Sequence, residues 1–199
     1  MEHKNIVATI YLKDGMAVKD PTHTDEKQDV LELARLYNDS GVDKIICYDL
    51  SDEDEEHEKN ILAIREINRN IEIKTCGGGN IKRLEDVKKY LYAGCVEVIL
   101  NGSKPSAVEI LNEASARFGS EKILVSLTTV DFLFKTKDIL EDHVHELVIY
   151  NRALLDSIEG ITNVPYIVDV DSYDIEDIAT LLKSDKIRGI CGAFINDTQ

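Results

Sequence analysis

Eight short apolar runs alternate with amphipathic segments along this chain, and the alternation constrains the fold more than any other feature. Each run is apolar at nearly every position, which is typical of parallel strands buried on both faces. The runs occupy residues 6–12, 43–50, 71–76, 96–101, 122–128, 145–151, 165–171 and 187–194. The intervening segments have helical periodicity, and several end in glycine (Gly41, Gly94, Gly119), a common signal at helix C-termini. The pattern predicts an α/β fold, a closed (βα)8 barrel of the TIM type, with an open doubly wound sheet as the alternative.

The length of the chain modifies this prediction. A complete barrel of this type needs about 250 residues, whereas this sequence has 199. The second half is short, because few residues separate Thr128 from Glu146, and the sequence ends soon after the last apolar run. We therefore expect one barrel domain over residues 1–199, shortened in its second half and lacking the final covering helix. Such a barrel should expose apolar surface, and we expect it to be the N-terminal part of a longer parent chain.

Composition narrows the classes of partner. A formal net charge of −15 disfavours nucleic acids and acidic membranes, because the overall field repels phosphate. There is no apolar run of about 18 residues and no signal-peptide pattern at the N-terminus. The four cysteines are scattered without metal-binding spacing, so we expect them to be reduced and buried. These features predict a cytoplasmic protein without a metal or cofactor.

A glycine-rich segment, Gly77-Gly78-Gly79, follows the third predicted strand and precedes a helix. Glycines permit close approach of the backbone to a ligand, and a helix N-terminus favours anions. The next strand ends in Asn101-Gly102-Ser103-Lys104. Neighbouring loops at the carboxyl ends of barrel strands form one pocket, so the two segments predict a phosphate-binding site. The alternative is that the glycines only make a tight turn.

Other candidates have weaker patterns. Asp169 and Asp171 alternate along the seventh run and form the best acid pair at the predicted mouth. The acidic segment 51–58 suggests a Mg²⁺ or Ca²⁺ site, although an acidic first helical turn explains it better. His143 and His145 lack a third zinc ligand, and Cys76 lacks a partnered base.

At this point the sequence resembles a known family. Several segments are similar to two histidine-biosynthesis barrels. They are Lys13-Asp14-Gly15 followed by Ala17-Val18-Lys19, then residues 29–50, residues 77–103, and RFGSEKILVSL at 117–127. These are the cyclase subunit of imidazole glycerol phosphate synthase and the phosphoribosylformimino-aminoimidazole carboxamide ribotide isomerase. A closer resemblance, suggested by residues 51–67 together with 79–95, is to the barrel that some proteins carry ahead of phosphoribosyl-AMP cyclohydrolase and phosphoribosyl-ATP pyrophosphatase modules. It implies a ribulose-phosphate-binding type of barrel that binds, or once bound, a phosphoribosyl compound.

The chain departs from the family at the residues that the resemblance makes catalytic. Where the family has an aspartate at the end of strand one, this chain has Tyr11, and where the cyclase has a second aspartate, it has Thr128. Both are poor replacements in proton transfer. Lys19 and the glycine and Asn-Gly-Ser segments remain, whereas Asp169 and Asp171 occupy the family's second phosphate loop.

Three functions follow as expectations. The first is a domain that is not catalytic itself, within a hydrolase that carries C-terminal enzymatic modules on the same chain, with a homodimer left open. The second is an active isomerase or cyclase that uses Asp169 or Asp171 with Lys19. The third is a sensor of a phosphorylated metabolite.

Overall fold

The computed structural model describes residues 3–194. Its strands are β1 (Asn5–Lys13), β2 (Met16–Asp20), β3 (His23–Gln28), β4 (Lys44–Asp49), β5 (Lys74–Gly78), β6 (Glu97–Asn101), β7 (Ile123–Leu127), β8 (Glu146–Ile149), β9 (Tyr166–Asp169) and β10 (Ile187–Gly192). Its helices are α1 (Val30–Asp39), α2 (Asp54–Asn70), α3 (Leu84–Tyr92), α4 (Ala107–Phe118), α5 (Asp131–Thr136), α6 (Leu140–His143), α7 (Leu155–Ile158) and α8 (Ile175–Leu181).

Eight parallel strands close into a barrel. The strand order runs from β10 through β9, β8, β7, β6, β5 and β4 to β1, and β1 pairs in parallel with β10 to complete the ring. Each strand after β4 is connected to the next by helical segments, as in (βα)8 barrels. The predicted barrel is therefore confirmed, and the open doubly wound sheet is wrong.

A β-hairpin that the sequence analysis does not predict extends β1 beyond the barrel. Strands β2 and β3 pair antiparallel with each other, and β2 pairs antiparallel with β1. The turn between β1 and β2 is Asp14-Gly15, and both residues have positive φ, at 55° and 76°. Two consecutive residues of this kind favour a tight hairpin whose twist matches its strands. The hairpin carries Lys19, which is half-buried on β2.

The barrel interior is filled by side chains rather than open. One buried residue from each barrel strand contributes to a continuous apolar layer: Val7, Ile46, Cys76, Ile99, Leu124, Val148, Ile167 and Cys191. Such a layer is the packed core expected of this architecture. A larger cluster between the strands and the helices forms the second core.

Charged residues occupy the barrel at the amino ends of its strands. The Lys44 ammonium lies 3.1 Å from Glu97 and 3.6 Å from Glu146, and Arg188 lies 3.4 Å from Glu146. These four residues line a cavity of about 390 Å³ at that end. Pairing of this kind offsets the large cost of burying single charges.

The helices differ in length between the two halves. Helices α1 to α4 have 10, 17, 9 and 12 residues, whereas α5 to α8 have 6, 4, 4 and 7. This agrees with the prediction of a shortened second half. The predicted absence of a final covering helix concerns residues 195–199, which lie outside the described residues. None of the described helices combines the length and the apolar character that crossing a membrane requires.

Candidate functional site

Three tyrosines cover the apolar layer at the carboxyl ends of the strands. Tyr11 and Tyr48 have ring centroids 6.1 Å apart, and Tyr48 and Tyr150 have centroids 6.0 Å apart in an edge-to-face arrangement. Burial raises the pKa of Tyr48 to about 12. The pKa of Tyr11 is also raised, by burial and then by the charges of Asp169 and Asp171. The hydroxyls are therefore neutral near pH 7, where they can donate hydrogen bonds but cannot act as bases.

Asp169 ends β9 beside these tyrosines and is the most perturbed acid of the mouth. Burial, together with the nearby charge of Asp171, raises its pKa to about 7. Its Oδ2 is buried and has no hydrogen-bond partner among the described residues. Its Oδ1 accepts only a long bond, of 3.4 Å, from the backbone N–H of Asp171. A carboxyl group of this pKa can both take and give a proton near neutral pH.

Asp171 does not form the alternating strand pair that the sequence suggests. Strand β9 ends at Asp169, so Asp171 lies in the following turn and is exposed. Its carboxylate accepts a hydrogen bond of 2.9 Å from the N–H of Ala193, beyond the end of β10. The prediction that Asp169 and Asp171 alternate along one strand is therefore wrong, because the strand ends at Asp169. They interact across a turn instead, through their charges.

The glycine segment is partly strand and partly loop. Gly77 and Gly78 belong to β5, where they are buried and paired with β4 and β6. A Cβ on Gly77 would overlap the Tyr90 ring, and a Cβ on Gly79 would overlap the carbonyl of Asp49. Gly79 also has a φ of 88°, which favours glycine. Close packing thus explains these glycines, and phosphate binding by them stays a prediction.

The backbone N–H groups of the two loops differ in whether they already donate a hydrogen bond. The N–H groups of Asn80 and Ile81 donate to no acceptor in the described part of the chain. In the neighbouring loop, the N–H of Gly102 donates to Ser126 O at 2.9 Å, and the N–H of Ser103 donates to Asn101 Oδ1 at 3.0 Å. An anion at this edge would therefore meet the amides that follow Gly79 and would compete with Asn101 for Ser103.

The structure resolves the roles of the remaining candidates. Burial raises the pKa of the Cys76 thiol, so it packs as an apolar residue. In the acidic segment, Glu56 pairs with Lys13 at 3.1 Å. His143 lies 2.5 Å from the hydroxyl of Ser115. No group of three or more metal-binding side chains occurs within residues 3–194.

A buried polar cluster behind the glycine segment was missed by the sequence analysis. Asp49, at the end of β4, accepts hydrogen bonds from the ring of His57 and, at 2.6 Å, from the amide of Asn60. It also accepts one of 2.9 Å from the N–H of Ser51. In the sequence, His57 lies within an acidic segment that is typical of a surface. Its place as the fourth residue of α2 is the one signal that its side chain can face the barrel.

Comparisons with known proteins agree with this geometry. The family model described as "Histidine biosynthesis protein" matches residues 5–157. The imidazole glycerol phosphate synthase subunit HisF of Halalkalibacterium halodurans is 32% identical over 126 residues, which are 62% of this chain and 50% of that protein. The subunit of the same name from Trichormus variabilis is 33% identical over 129 residues, 64% of this chain and 50% of that protein. That from Campylobacter lari is 26% identical over 149 residues, 74% of this chain and 54% of that protein.

The chain spans about half the length of the curated relatives that it matches. The family match begins in β1 and extends beyond β8, so it covers most of the barrel and more than half of the chain. The chain belongs to the histidine biosynthesis protein family.

Proposed function

We propose that this chain is a sugar-phosphate isomerase or cyclase barrel of the type found in imidazole glycerol phosphate synthase and its isomerase relative. Its substrate would be a phosphoribosyl compound bound at the carboxyl ends of the strands. The relatives carry the name of a synthase subunit, which favours an active barrel over a non-catalytic one. The observation that carries the proposal is Asp169, whose pKa of about 7 suits proton transfer.

The phosphate would occupy the edge formed by the loops after β5 and β6. Gly78 and Ile99 are register partners on these adjacent strands, so the two loops are neighbours. The amides of Asn80 and Ile81, for which residues 3–194 provide no acceptor, supply donors. The loops also carry exposed Lys82 and Lys104. Local donors of this kind can bind an anion although the net charge of the chain is −15.

Asp169 would then move the proton on the sugar. Its Oδ2, which has no partner in the described part of the chain, lies at the mouth near Tyr11. Isomerisation of an aminoaldose to an aminoketose requires a group that removes and returns a proton. Tyr11 stays protonated and would donate a hydrogen bond to a substrate oxygen. Lys19, on the hairpin, would supply positive charge.

An assay of aminoaldose–aminoketose isomerisation tests the proposal. We expect turnover by the wild-type chain and a loss of at least about 100-fold in Asp169→Asn, the scale of a lost general acid–base group. Asp156→Asn, at an exposed position on α7, is the matched control and should keep full activity. Equal activity of Asp169→Asn and wild type would overturn the assignment.

A second candidate is favoured by Tyr11 and Thr128. Because neither can replace a carboxylate, the barrel would be a non-catalytic, phosphoribosyl-binding domain joined to cyclohydrolase and pyrophosphatase modules in a hydrolase, or a metabolite sensor. Calorimetry with ribose 5-phosphate should then show binding that Gly78→Asp abolishes, without any turnover. A reading frame that continues past Gln199 into Cys/His-rich segments would favour the joined protein, and a stop codon there would exclude it.

A further inference from the structure

The carboxylate of Asp49 lies at the centre of a buried hydrogen-bond chain between two loops of the mouth. Its side chain is fully buried. Oδ1 accepts from Ser51 N and Asn60 Nδ2, and Oδ2 accepts from His57 Nδ1. The hydroxyl of Tyr90 lies 3.4 Å from Oδ2. With its lone pairs occupied in this way, Asp49 is unsuited to bind a substrate directly.

Tyr90 connects this centre to the glycine segment. Its ring fills the space left by the missing side chain of Gly77. Its hydroxyl lies 2.6 Å from the carbonyl of Gly79 and 3.0 Å from that of Gly78. The single hydroxyl proton is shared among these carbonyls and Asp49, so a shift of the glycine carbonyls changes what Tyr90 offers to Asp49.

Asn60 connects the same centre to the hairpin. Its Oδ1 accepts a hydrogen bond of 2.7 Å from the N–H of Gly15, in the turn that begins the hairpin. Its Nδ2 donates to Asp49 at 2.6 Å and to the carbonyl of Leu12 at 3.2 Å. Asn60 is completely buried, so water does not compete for these bonds.

We propose that Asp49 is a positioning residue that couples the glycine loop, residues 79–82, to the hairpin, residues 14–28. An anion held by the amides that follow Gly79 fixes the carbonyls bonded to Tyr90. The restriction of motion is transmitted along the hydrogen bonds of Asp49 and Asn60 to Gly15. Ligand binding at one loop thereby orders the segment that carries Lys19. This inference rests on the proposed phosphate site.

Hydrogen exchange of the full chain, with and without saturating ribose 5-phosphate, tests the coupling. In the wild type we expect the ligand to slow amide exchange about 5–10-fold in both the glycine loop and the hairpin. In Tyr90→Phe, which keeps the ring and removes the hydroxyl, we expect the glycine loop still to be protected and the hairpin protection to fall below about 2-fold. Tyr92→Phe changes a tyrosine of the same helix that is 73% exposed, and it should match the wild type.

The outcomes separate this inference from the proposed function. Protection of the glycine loop alone in the wild type, or full hairpin protection in Tyr90→Phe, would overturn the coupling and leave the phosphate site standing. If the ligand protects neither segment in the wild type, the proposed site fails. The ligand-free proteins then decide the coupling: faster exchange of both segments in Tyr90→Phe supports it, and unchanged exchange of the hairpin refutes it.

Discussion

Asp49 and Asp169 are both aspartates that end a barrel strand, yet their surroundings differ. Each ends a parallel strand at the carboxyl end of the barrel. Asp49 lies in the half with long helices and accepts bonds from Ser51, His57 and Asn60. Asp169 lies in the half with short helices, and among residues 3–194 it has one long bond and an oxygen without a partner. The surrounding elements supply Asp49 with hydrogen-bond donors and leave Asp169 with a raised pKa.

The largest effect on stability should come from removing Asp49. Asp49→Ala leaves the buried donors of His57 and Asn60 without an acceptor, so we expect the free energy of unfolding to fall by about 3–5 kcal/mol. Urea denaturation measures this loss. Asp52→Ala removes a carboxylate whose side chain is 85% exposed and pairs with Lys13, and it should leave the free energy of unfolding nearly unchanged, because solvent screens surface pairs of this kind. Similar costs for the two variants would remove the contrast between a structural and a surface acid.

Removing the charge of Asp169 should stabilise the folded chain at high pH, whereas removing Asp49 destabilises it. Because the pKa of this carboxyl is about 7 in the folded chain, against an ordinary value of 3.8 for aspartate, the folded state holds its proton more tightly. The resulting stabilisation is present at pH 4 and is lost as the pH rises through 7. We therefore compare the free energy of unfolding of Asp169→Asn with that of the wild type at each pH. The advantage of the variant should be larger at pH 8 than at pH 4, by on the order of 3 kcal/mol.

Urea denaturation of both proteins at pH 4 and pH 8 checks this prediction. Asp156→Asn, at an exposed position, should follow the wild type at both values. A difference between Asp169→Asn and wild type that does not change with pH would show that Asp169 is an ordinary, solvated acid.

A smaller effect is expected at the glycine segment. In Gly77→Ala the new methyl group overlaps the Tyr90 ring, so we expect a loss of about 2 kcal/mol from forced repacking. Gly160→Ala is the control, since a Cβ there meets nothing within 4 Å. Thermal denaturation of the two variants distinguishes them. If Gly77→Ala is as stable as the wild type, Tyr90 is not held against β5 in the way described.

The smallest effect should follow Asp171→Asn. The charge of Asp171 is the second cause of the raised pKa of Asp169, after burial. Its removal should lower that pKa modestly, and the asparagine can still accept from the N–H of Ala193. The pH dependence of turnover should shift to lower pH on its acidic side. A shift to higher pH would mean that Asp171 acts on Asp169 other than through its charge.

Much of the barrel could be predicted from the sequence, because buried parallel strands require uninterrupted apolar runs. Each of the eight runs overlaps a barrel strand. The hairpin was missed, although Asp14-Gly15 between β-forming residues is a recognisable turn signal. Its strand β3, His23–Gln28, is polar and mostly exposed, so it has no hydrophobic pattern.

The candidate site was less predictable. The importance of Asp169 depends on burial beside Tyr11 and on the turn that brings Asp171 near, and neither is encoded locally. The Asp49 cluster joins residues from β4, α2 and α3, including Tyr90, which is distant in sequence. Sequence periodicity places such residues on faces of their own elements, but it does not specify which faces meet.

The central measurement is a titration of the Asp169 carboxyl group, monitored by ¹³C NMR. The spectrum of Asp169→Asn assigns the signal. We expect a midpoint of about 7, since Asp169 is buried near Asp171 and its second oxygen has no donor among the described residues. A midpoint near 3.8, the ordinary value for aspartate, would exclude Asp169 from proton transfer, because a carboxyl group ionised so easily could not exchange a proton with substrate near neutral pH.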